Sequence, residues 1–263
     1  MAPAAFDPVA QRYDEDFTRT DLGHWLRERA WARLADLFQP GASVLEIGCG
    51  TGEDAVWLAR RGVSVLATDA SLAMLRQTAA KAQTAGVAGR IETRQLDLNA
   101  LPEHLDGLRF DGVFSNFGAI NCTDNWPALA TFLEQIVRPQ GRIGLGVMSP
   151  FCLWETLWHG LHLDFATAFR RFNRRASAQL PGDRSLTVYY PTPGKLARAF
   201  LPHFRRTAIM GLGVFIPPSD VFPVIERHPA LARRLISLER RLASSWPFRT
   251  WADHFWIEFA HAG

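Results

Sequence analysis

The chain has 263 residues, of which 48% are hydrophobic, and a formal net charge of +3 at pH 7. A chain of this length can bury a large apolar interior, and its hydrophobic share is ordinary for a globular protein. The sequence shows no internal repeat and no low-complexity tract. The charge excess is too small to require a nucleic acid partner, although the sequence pI is near 9.0.

The cysteines and the N-terminal residues point to an intracellular protein. Cys49, Cys122 and Cys152 are odd in number, widely spaced and without a Cys-x-x-Cys pair, so neither a disulfide framework nor a zinc site is predicted. The start of the chain has no basic region followed by an apolar run, and no uncharged apolar stretch has the length of a membrane span. We therefore expect reduced thiols and a cytoplasmic location, without secretion or membrane insertion.

The first predicted element is a helix that follows a short N-terminal segment. Its apolar residues recur at helical spacing, and they are Leu22, Trp25, Leu26, Trp31, Leu34 and Phe38. We assign residues 1–40 to N-terminal lid helices.

The next element is a strand at 43–47 that leads through a Gly-x-Gly-x-Gly turn into a helix at 54–60. The glycines carry no Cβ, so backbone amides of the turn can approach a ligand that faces the helix N-terminus near Glu53. A dinucleotide fingerprint has Gly-x-Gly-x-x-Gly, whereas here the third glycine comes one residue early and Glu46 precedes the turn. Because a carboxylate there repels a diphosphate and attracts a cation, the pattern favours a nucleoside bearing positive charge.

Strands and helices continue to alternate after this turn. Residues 63–68 form a predicted strand that ends at Asp69, and Ser71 is the predicted cap of the helix that follows. Further strands are predicted at 90–96, 110–115 and 142–148, with a helix at 126–137 and a stop at Pro139-Gln140-Gly141. Five βα steps of this kind predict an α/β fold with a Rossmann-like, mostly parallel sheet and a cofactor-binding core over 41–150.

The segment from Val44 to Gly52 reads VLEIGCGTG, and here the chain resembles class I S-adenosylmethionine-dependent methyltransferases. The resemblance extends over about 6–148 and is specific in this first motif. It implies S-adenosylmethionine as cofactor and an antiparallel last strand. The implied cofactor-binding residues are Tyr13, Glu46, Gly48, Cys49, Gly50, Gly52, Asp69, Ala70, Asp97, Leu98 and Asn116.

Two carboxylates at strand ends have alternative interpretations. In sheets of this kind ligands bind beyond the carboxyl ends of the strands. Asp69 can accept hydrogen bonds from both ribose hydroxyls, or it can be a helix-capping or solvated residue. Asp97 can bind the adenine amino group while the Leu98 amide meets a ring nitrogen, or the Asp-Leu-Asn sequence can be ordinary loop chemistry.

The predicted methyl-transfer region follows the fourth strand, where the related enzymes place the methionine arm. Asn116 and Asn121 can orient an acceptor or a ligand amine, or they can cap backbone groups. Tyr13 belongs to a Phe-Asp-x-x-Ala-x-x-Tyr-Asp stretch that, in similar enzymes, folds over the cofactor; otherwise it packs the lid. The fifth strand ends in Ser149-Pro150, where metal-dependent relatives have an acidic ligand, so no metal is expected.

The second half of the chain is predicted to add a cap to this core. Residues 151–203 form a helical cap insertion, and 204–263 hold the last two strands with a second helical insertion at 216–250. Helices are predicted at 151–178, 194–201 and 221–244, and strands at 185–190, 204–215 and 253–260. The cap aromatics suit a flat or apolar acceptor, or they form the cap's own core. The arginines at 170–175 and 233–241 can attract an acidic acceptor or form solvated helix faces.

The acceptor chemistry has no single signature in the sequence. The predicted catalytic residues are Tyr13, Asn116, Asn121, His159 and Tyr190, while His162, His254 and Tyr189 also bear groups able to move a proton. The principal hypothesis is a methyltransferase acting on a small molecule as a monomer or homodimer, and secondary metabolism is the expected setting. Alternatives are a cyclase that releases methylthioadenosine, a non-catalytic cofactor-binding subunit and a dehydrogenase.

Overall fold

A computed structural model of the protein describes residues 6–102, 105, 107–180, 184–219, 221–222, 225 and 227–263. Parts of four predicted regions lie outside the described residues: 1–5 of the lid, 103–104 and 106 of the core, 181–183 of the cap, and 220, 223–224 and 226 of the second insertion.

The centre of the molecule is a seven-stranded sheet with the order β3-β2-β1-β4-β5-β9-β8. Its strands are β1 Ser43–Ile47, β2 Ser64–Asp69, β3 Ile91–Gln95, β4 Phe110–Ser115, β5 Val137–Met148, β8 Phe204–Leu212 and β9 His254–His261. Strands β1 to β5 pair in parallel, and β9 is antiparallel to both of its neighbours, β5 and β8. The predicted Rossmann-like sheet with an antiparallel last strand is confirmed.

The helices are α1 Asp21–Leu37, α2 Glu53–Arg60, α3 Leu72–Thr84, α4 Trp126–Ile136, α5 Leu153–Leu161, α6 Phe165–Ala168, α7 Pro193–Phe200 and α8 Pro229–Leu242. Ser71 caps α3 as predicted, since its side chain accepts a hydrogen bond from the amide of Met74 at 3.1 Å. No helix within the described segments is long and apolar enough to cross a membrane.

Successive side chains of a strand point to opposite faces of the sheet, and both faces are covered by buried residues. Leu45 and Ile47 of β1 belong to a core cluster shared with α4 and α7. Val44 belongs to a second cluster, shared with α1 and α2. The helices that follow β1 and β4 therefore cover different faces of the sheet, which opens a crevice between these two strands.

Strand β5 begins at Val137 rather than at the predicted Arg142. Val137 pairs with Phe110, and the register then shifts before Arg142 pairs with Gly112. Gln140 has a positive φ of 67° at this point. The Pro-Gln-Gly sequence thus forms an irregularity inside a longer strand instead of a stop.

The cap insertion combines helices with strands: the strand predicted at 185–190 is present, whereas the helical prediction over 151–178 extends too far. The predicted helix over 151–178 reaches into a strand, β6 Arg175–Leu180, which pairs antiparallel with β7 Arg184–Tyr189. The residues of β6 alternate between exposed and half-buried, which is the period of a strand with one covered face. The cap therefore consists of α5, α6, a 3-10 turn Arg170–Asn173 and this hairpin.

Candidate active site

The turn between β1 and α2 needs its glycines for two different reasons. Gly48, Gly50 and Gly52 have positive φ angles of 71°, 54° and 79°. A Cβ at Gly48 would lie 2.2 Å from Ala119, and one at Gly52 would lie 2.5 Å from Thr78. Those two glycines allow close packing, whereas a Cβ at Gly50 would meet only a ring carbon of Tyr13 at 4.0 Å. Gly50 is therefore the glycine that faces the predicted ligand side.

Glu46 carries a buried carboxylate that lacks part of its hydrogen bonding. The residue is 2% exposed, and its Oε2 has no hydrogen-bond partner among the described residues. Burial raises the pKa of Glu46 well above its usual value, Asp54 raises it further, and Arg27 opposes them. Such an atom is expected to receive a donor from a ligand.

A second buried carboxylate lies beside Glu46 and is fully engaged. One oxygen of Asp54 accepts hydrogen bonds from Arg27 Nη1 at 2.9 Å and from Trp31 Nε1 at 2.7 Å. Its other oxygen accepts from Asn116 Nδ2 at 3.1 Å. With both groups ionised, two buried carboxylates would lie near one buried guanidinium, so this region would hold an excess of negative charge without a bound cation. Arg27 and Asp54 were not among the predicted site residues. An arginine among the buried, mostly apolar residues of α1 is a signal that could have identified Arg27.

Arg27 also keeps a free donor in this buried region. Its Nε has no hydrogen-bond partner among the residues that the structure describes. A buried guanidinium donor next to a buried carboxylate acceptor matches the two charged ends of an amino acid. The pair fits the methionine part of S-adenosylmethionine.

Asp69 lies at the end of β2, as predicted, and binds the turn. Its Oδ2 accepts from the Gly50 amide at 3.0 Å, and its Oδ1 accepts from the Ser71 amide at 2.9 Å. Burial raises the pKa of Asp69, while these hydrogen bonds oppose the shift. Each carboxylate oxygen retains a further lone pair for a hydroxyl group.

The remaining predicted cofactor positions lie along the same sheet edge. Asp97 is exposed, and its Oδ1 accepts from the Asn99 amide at 2.9 Å, while Leu98 packs against the core. The Ala70 carbonyl accepts from Gln95 at 2.9 Å. The Cys49 amide donates to the Thr68 carbonyl at 2.8 Å, and burial raises the pKa of its thiol well above the usual value. Cys49 is therefore a neutral structural thiol at physiological pH.

The N-terminal segment covers the turn through two carboxylates. Asp7 accepts a hydrogen bond from the Ser71 hydroxyl at the start of α3. Asp14 accepts from the Thr51 hydroxyl and forms an ion pair with Lys81 at 2.8 Å. Although burial opposes the charge, these contacts lower the pKa of Asp14. They hold Tyr13 over the turn, where burial raises the pKa of its hydroxyl.

The predicted acceptor residues do not form one cluster. Asn116 is bonded to Asp54 and lies beside the Glu46 region. Asn121 accepts from the Met148 amide at 2.9 Å and donates to the carbonyls of Met148 at 3.2 Å and Tyr189 at 2.6 Å. All three contacts are with backbone, which favours the capping interpretation of Asn121 over the acceptor interpretation.

The other two predicted residues lie on the cap. His159 of α5 has Nδ1 3.4 Å from Asp164. Tyr190 is buried under the Arg171 guanidinium, which lies 5.4 Å from the ring centroid. Burial raises the pKa of Tyr190, and Arg171 opposes the shift.

Tyr190 also borders a cavity of about 360 Å³ that is lined by four cations, Arg174, Arg175, Lys195 and Arg198. Among the described segments, no group of three or more His, Cys, Asp or Glu residues has an arrangement that could hold a metal ion.

Comparison with known proteins places this geometry in a wider context. The family described as "Methyltransferase domain" matches residues 44–141. The demethylmenaquinone methyltransferase of Mycolicibacterium paratuberculosis is 33% identical over 171 residues, which are 65% of this chain and 66% of that protein. The malonyl-[acyl-carrier protein] O-methyltransferase of Pseudescherichia vulneris is 33% identical over 167 residues, 61% of each protein. The matches thus span just under two thirds of these relatives.

A solved structure extends the similarity of fold to nearly the whole chain. The DhpI–SAH complex has a TM-score of 0.57 and 16% sequence identity, and the match covers 97% of this chain and 93% of that chain. At this identity the match shows the fold alone.

Proposed function

We propose that this chain, which belongs to the class I S-adenosylmethionine-dependent methyltransferases, transfers a methyl group from S-adenosylmethionine to a small-molecule acceptor. When bound, S-adenosylmethionine supplies a methyl group on a positively charged sulfur that becomes neutral on transfer. The family assignment confirms the resemblance stated from the VLEIGCGTG motif.

The observation that carries the proposal is the unpaired Oε2 of Glu46 in a region with excess negative charge. A phosphate ligand is disfavoured there, because its charge would add to that of Glu46 and Asp54. An α-ammonium group satisfies Glu46, while the free Nε of Arg27 can donate to the α-carboxylate. The same proposal assigns the ribose hydroxyls to Asp69 and the adenine to the exposed edge at Asp97.

The lid and cap residues have supporting roles in this proposal. Tyr13 and the Asp14–Lys81 pair close over the turn and exclude water from the cofactor. Water exclusion strengthens the electrostatic interactions of the buried carboxylates. Methyl transfer is an in-line displacement, so the protein contributes mainly alignment and charge stabilisation.

We propose that the acceptor is a small molecule and that the protein acts in secondary metabolism. Two 33% identical relatives are a demethylmenaquinone methyltransferase and a malonyl-[acyl-carrier protein] O-methyltransferase. We further propose a cytoplasmic monomer or homodimer without a nucleic acid or membrane partner. Three unpaired cysteines support the reducing compartment.

Calorimetry with S-adenosylmethionine and with its demethylated product tests the proposal. Saturable binding of both is expected, with weaker binding to Asp69→Ala and no binding of NAD. Incubation with acceptor mixtures should yield S-adenosylhomocysteine. Methylthioadenosine formed without an acceptor would identify the cyclase instead, and tight binding without any turnover would identify a cofactor-binding subunit.

A further inference from the structure

The start of β9 carries a histidine and an aspartate that face each other. His254 Nδ1 lies 2.9 Å from Asp253 Oδ2, and the two side chains are 12% and 13% exposed. The contact is close, but it is not aligned as a hydrogen bond, and Nδ1 is buried without another partner among the described residues. Loose alignment of this kind is common in active sites before substrate binds, and a small ring rotation corrects it.

The cap fixes the carboxylate of this pair. The other oxygen of Asp253 accepts a hydrogen bond from Arg171 Nη2 at 2.7 Å. Arg171 also donates through Nε at 3.0 Å and through Nη2 at 2.8 Å to Glu155 of α5. Burial alone would raise the pKa of Asp253, but His254 and Arg171 hold it well below its usual value. Asp253 is therefore a fixed anion next to the imidazole.

The position of this pair follows from the sheet order. Asp97, Asp69 and Glu46 belong to β3, β2 and β1, so a cofactor bound along them directs its methionine end towards β4. Beyond β4 lie β5 and β9, and because β9 is antiparallel, its first residue lies at the same edge, paired with Met148. The acceptor therefore lies over β4, β5 and β9, where His254 is located.

Contacts across β4 connect the two regions. The His254 ring lies edge-on to Phe117 with centroids 6.1 Å apart. The guanidinium of Arg27 lies 4.8 Å from the centroid of the same Phe117 ring. One aromatic side chain thus separates His254 from the Arg27, Asp54 and Glu46 group. The charged groups around His254 are Asp253, which directly precedes it, Arg171, which contacts Asp253 from the cap, and Arg27 across Phe117.

We propose that His254 is the general base of the transfer reaction, that Asp253 is its positioning residue, and that the acceptor is a hydroxyl or enol group. This inference rests on the proposed methyltransferase function. The acceptor O–H gives its proton to Nε2 of His254, and the acceptor oxygen forms the bond to the methyl carbon. The electrons of the broken carbon–sulfur bond remain on sulfur. The imidazolium is stabilised by Asp253 and then releases its proton to water.

The acceptor class follows from this proton transfer. Phenols and enols must lose a proton on methylation. A base that is positioned beside them and accepts a proton near neutral pH therefore speeds the reaction. An amine has to arrive unprotonated and carries its own lone pair, so it needs no such dyad. The structure therefore favours an acidic hydroxyl over an amine.

The first test is nitrogen NMR of the neutral His254 ring in the full chain saturated with S-adenosylhomocysteine. Asp253 lies next to Nδ1, so the proton should sit on Nδ1 and leave Nε2 free to accept, and Asp253→Asn should lose this tautomer preference. His261→Gln is the matched control at the other end of β9, and it should leave the His254 tautomer unchanged. The same His254 tautomer in wild type and in Asp253→Asn would overturn the positioning role of Asp253.

The second test measures turnover with probe acceptors, namely catechol, 4-nitrophenol and acetylacetone, against benzylamine and piperidine. His254→Gln keeps the Asp253–Arg171 contact and should lower kcat for the hydroxyl probes about 10²- to 10⁴-fold, with cofactor affinity within twofold of wild type. Turnover with amines alone, or undiminished turnover by His254→Gln, overturns the inference but leaves the methyltransferase function intact. Absence of cofactor binding would contradict both the role of His254 and the methyltransferase function. If no probe is turned over, the His254 tautomer in wild type and in Asp253→Asn decides.

Discussion

Replacing Glu46 by glutamine tests how the buried carboxylate contributes to ligand choice. The substitution keeps the shape of the side chain, removes its charge and replaces one acceptor oxygen by an NH2 group. In the present structure Glu46 is 2% exposed with Oε2 unpaired. Binding of the cofactor and stability of the free protein should therefore change in opposite directions.

The loss of affinity can be estimated from the contact that Glu46 is expected to make. A hydrogen bond between a charged donor and a charged acceptor contributes about 1.5–3 kcal/mol. Since each 1.4 kcal/mol is a factor of ten, Glu46→Gln should raise the Kd for S-adenosylmethionine about 10- to 150-fold. The demethylated product should lose a similar factor, because it keeps the α-ammonium group.

The gain in stability follows from the raised pKa of Glu46. The folded chain binds this proton more tightly than the unfolded chain does. The stability that proton binding by Glu46 contributes is thus fully present below the unfolded-state pKa of Glu46. It is lost as the pH rises through the folded-state pKa of Glu46. Glutamine does not titrate, so the unfolding free energy of Glu46→Gln should exceed that of wild type increasingly as the pH rises between these two pKa values. The difference should reach about 1–3 kcal/mol, the cost of a buried unsatisfied group.

Calorimetry and urea unfolding of the ligand-free protein at several pH values measure the two effects. Glu92→Gln is a suitable control, because Glu92 is exposed on β3 and its contact with Arg94 at 3.1 Å is at the surface. It should change neither quantity. If Glu46→Gln bound the cofactor as tightly as wild type, or were less stable when ligand-free, the assignment of Glu46 would be refuted.

Three other substitutions test the remaining parts of the site. Asp69→Asn should raise the calorimetric Kd for S-adenosylhomocysteine about 10- to 100-fold, because two ribose hydrogen bonds lose their charged acceptor; a change below twofold would argue against this contact. Gly52→Ala should cost about 2–5 kcal/mol in urea unfolding from positive φ and overpacking, whereas Gly86→Ala should cost about 1–2 kcal/mol from φ alone. Equal costs would contradict the packing account. Lys81→Met removes the ion pair to Asp14 and should weaken cofactor binding about 2- to 5-fold, with faster proteolysis near the N-terminus; unchanged proteolysis would count against the lid contact.

The sheet and its turn could be predicted because the determining signals are local. The bounds of β4 match the predicted strand at 110–115, and Ser71 caps α3 as expected. The β6 segment was missed because its small and polar residues form a strand only through pairing with β7, which lies beyond the hairpin turn. The predicted break at Pro139-Gln140-Gly141 was wrong for a related reason, because the pairing of β5 with β4 continues past the irregular backbone.

The site could be predicted only in part. Glu46 and Asp69 follow strands directly, so their positions at the sheet edge are set by the βα pattern. Arg27 and Asp253 reach the site through contacts between residues far apart in sequence, such as the Arg171–Asp253 ion pair at 2.7 Å. Sequence spacing carries no information about these contacts, which is why His254 could not be distinguished from the other histidines.

A crystal structure of the complex with S-adenosylhomocysteine tests the central assignment most directly. The α-amino nitrogen of the ligand should lie within hydrogen-bonding distance of Glu46 Oε2, with the ribose on Asp69. A ligand whose amino group is remote from Glu46, or a diphosphate bound in the turn at Gly50, would contradict it.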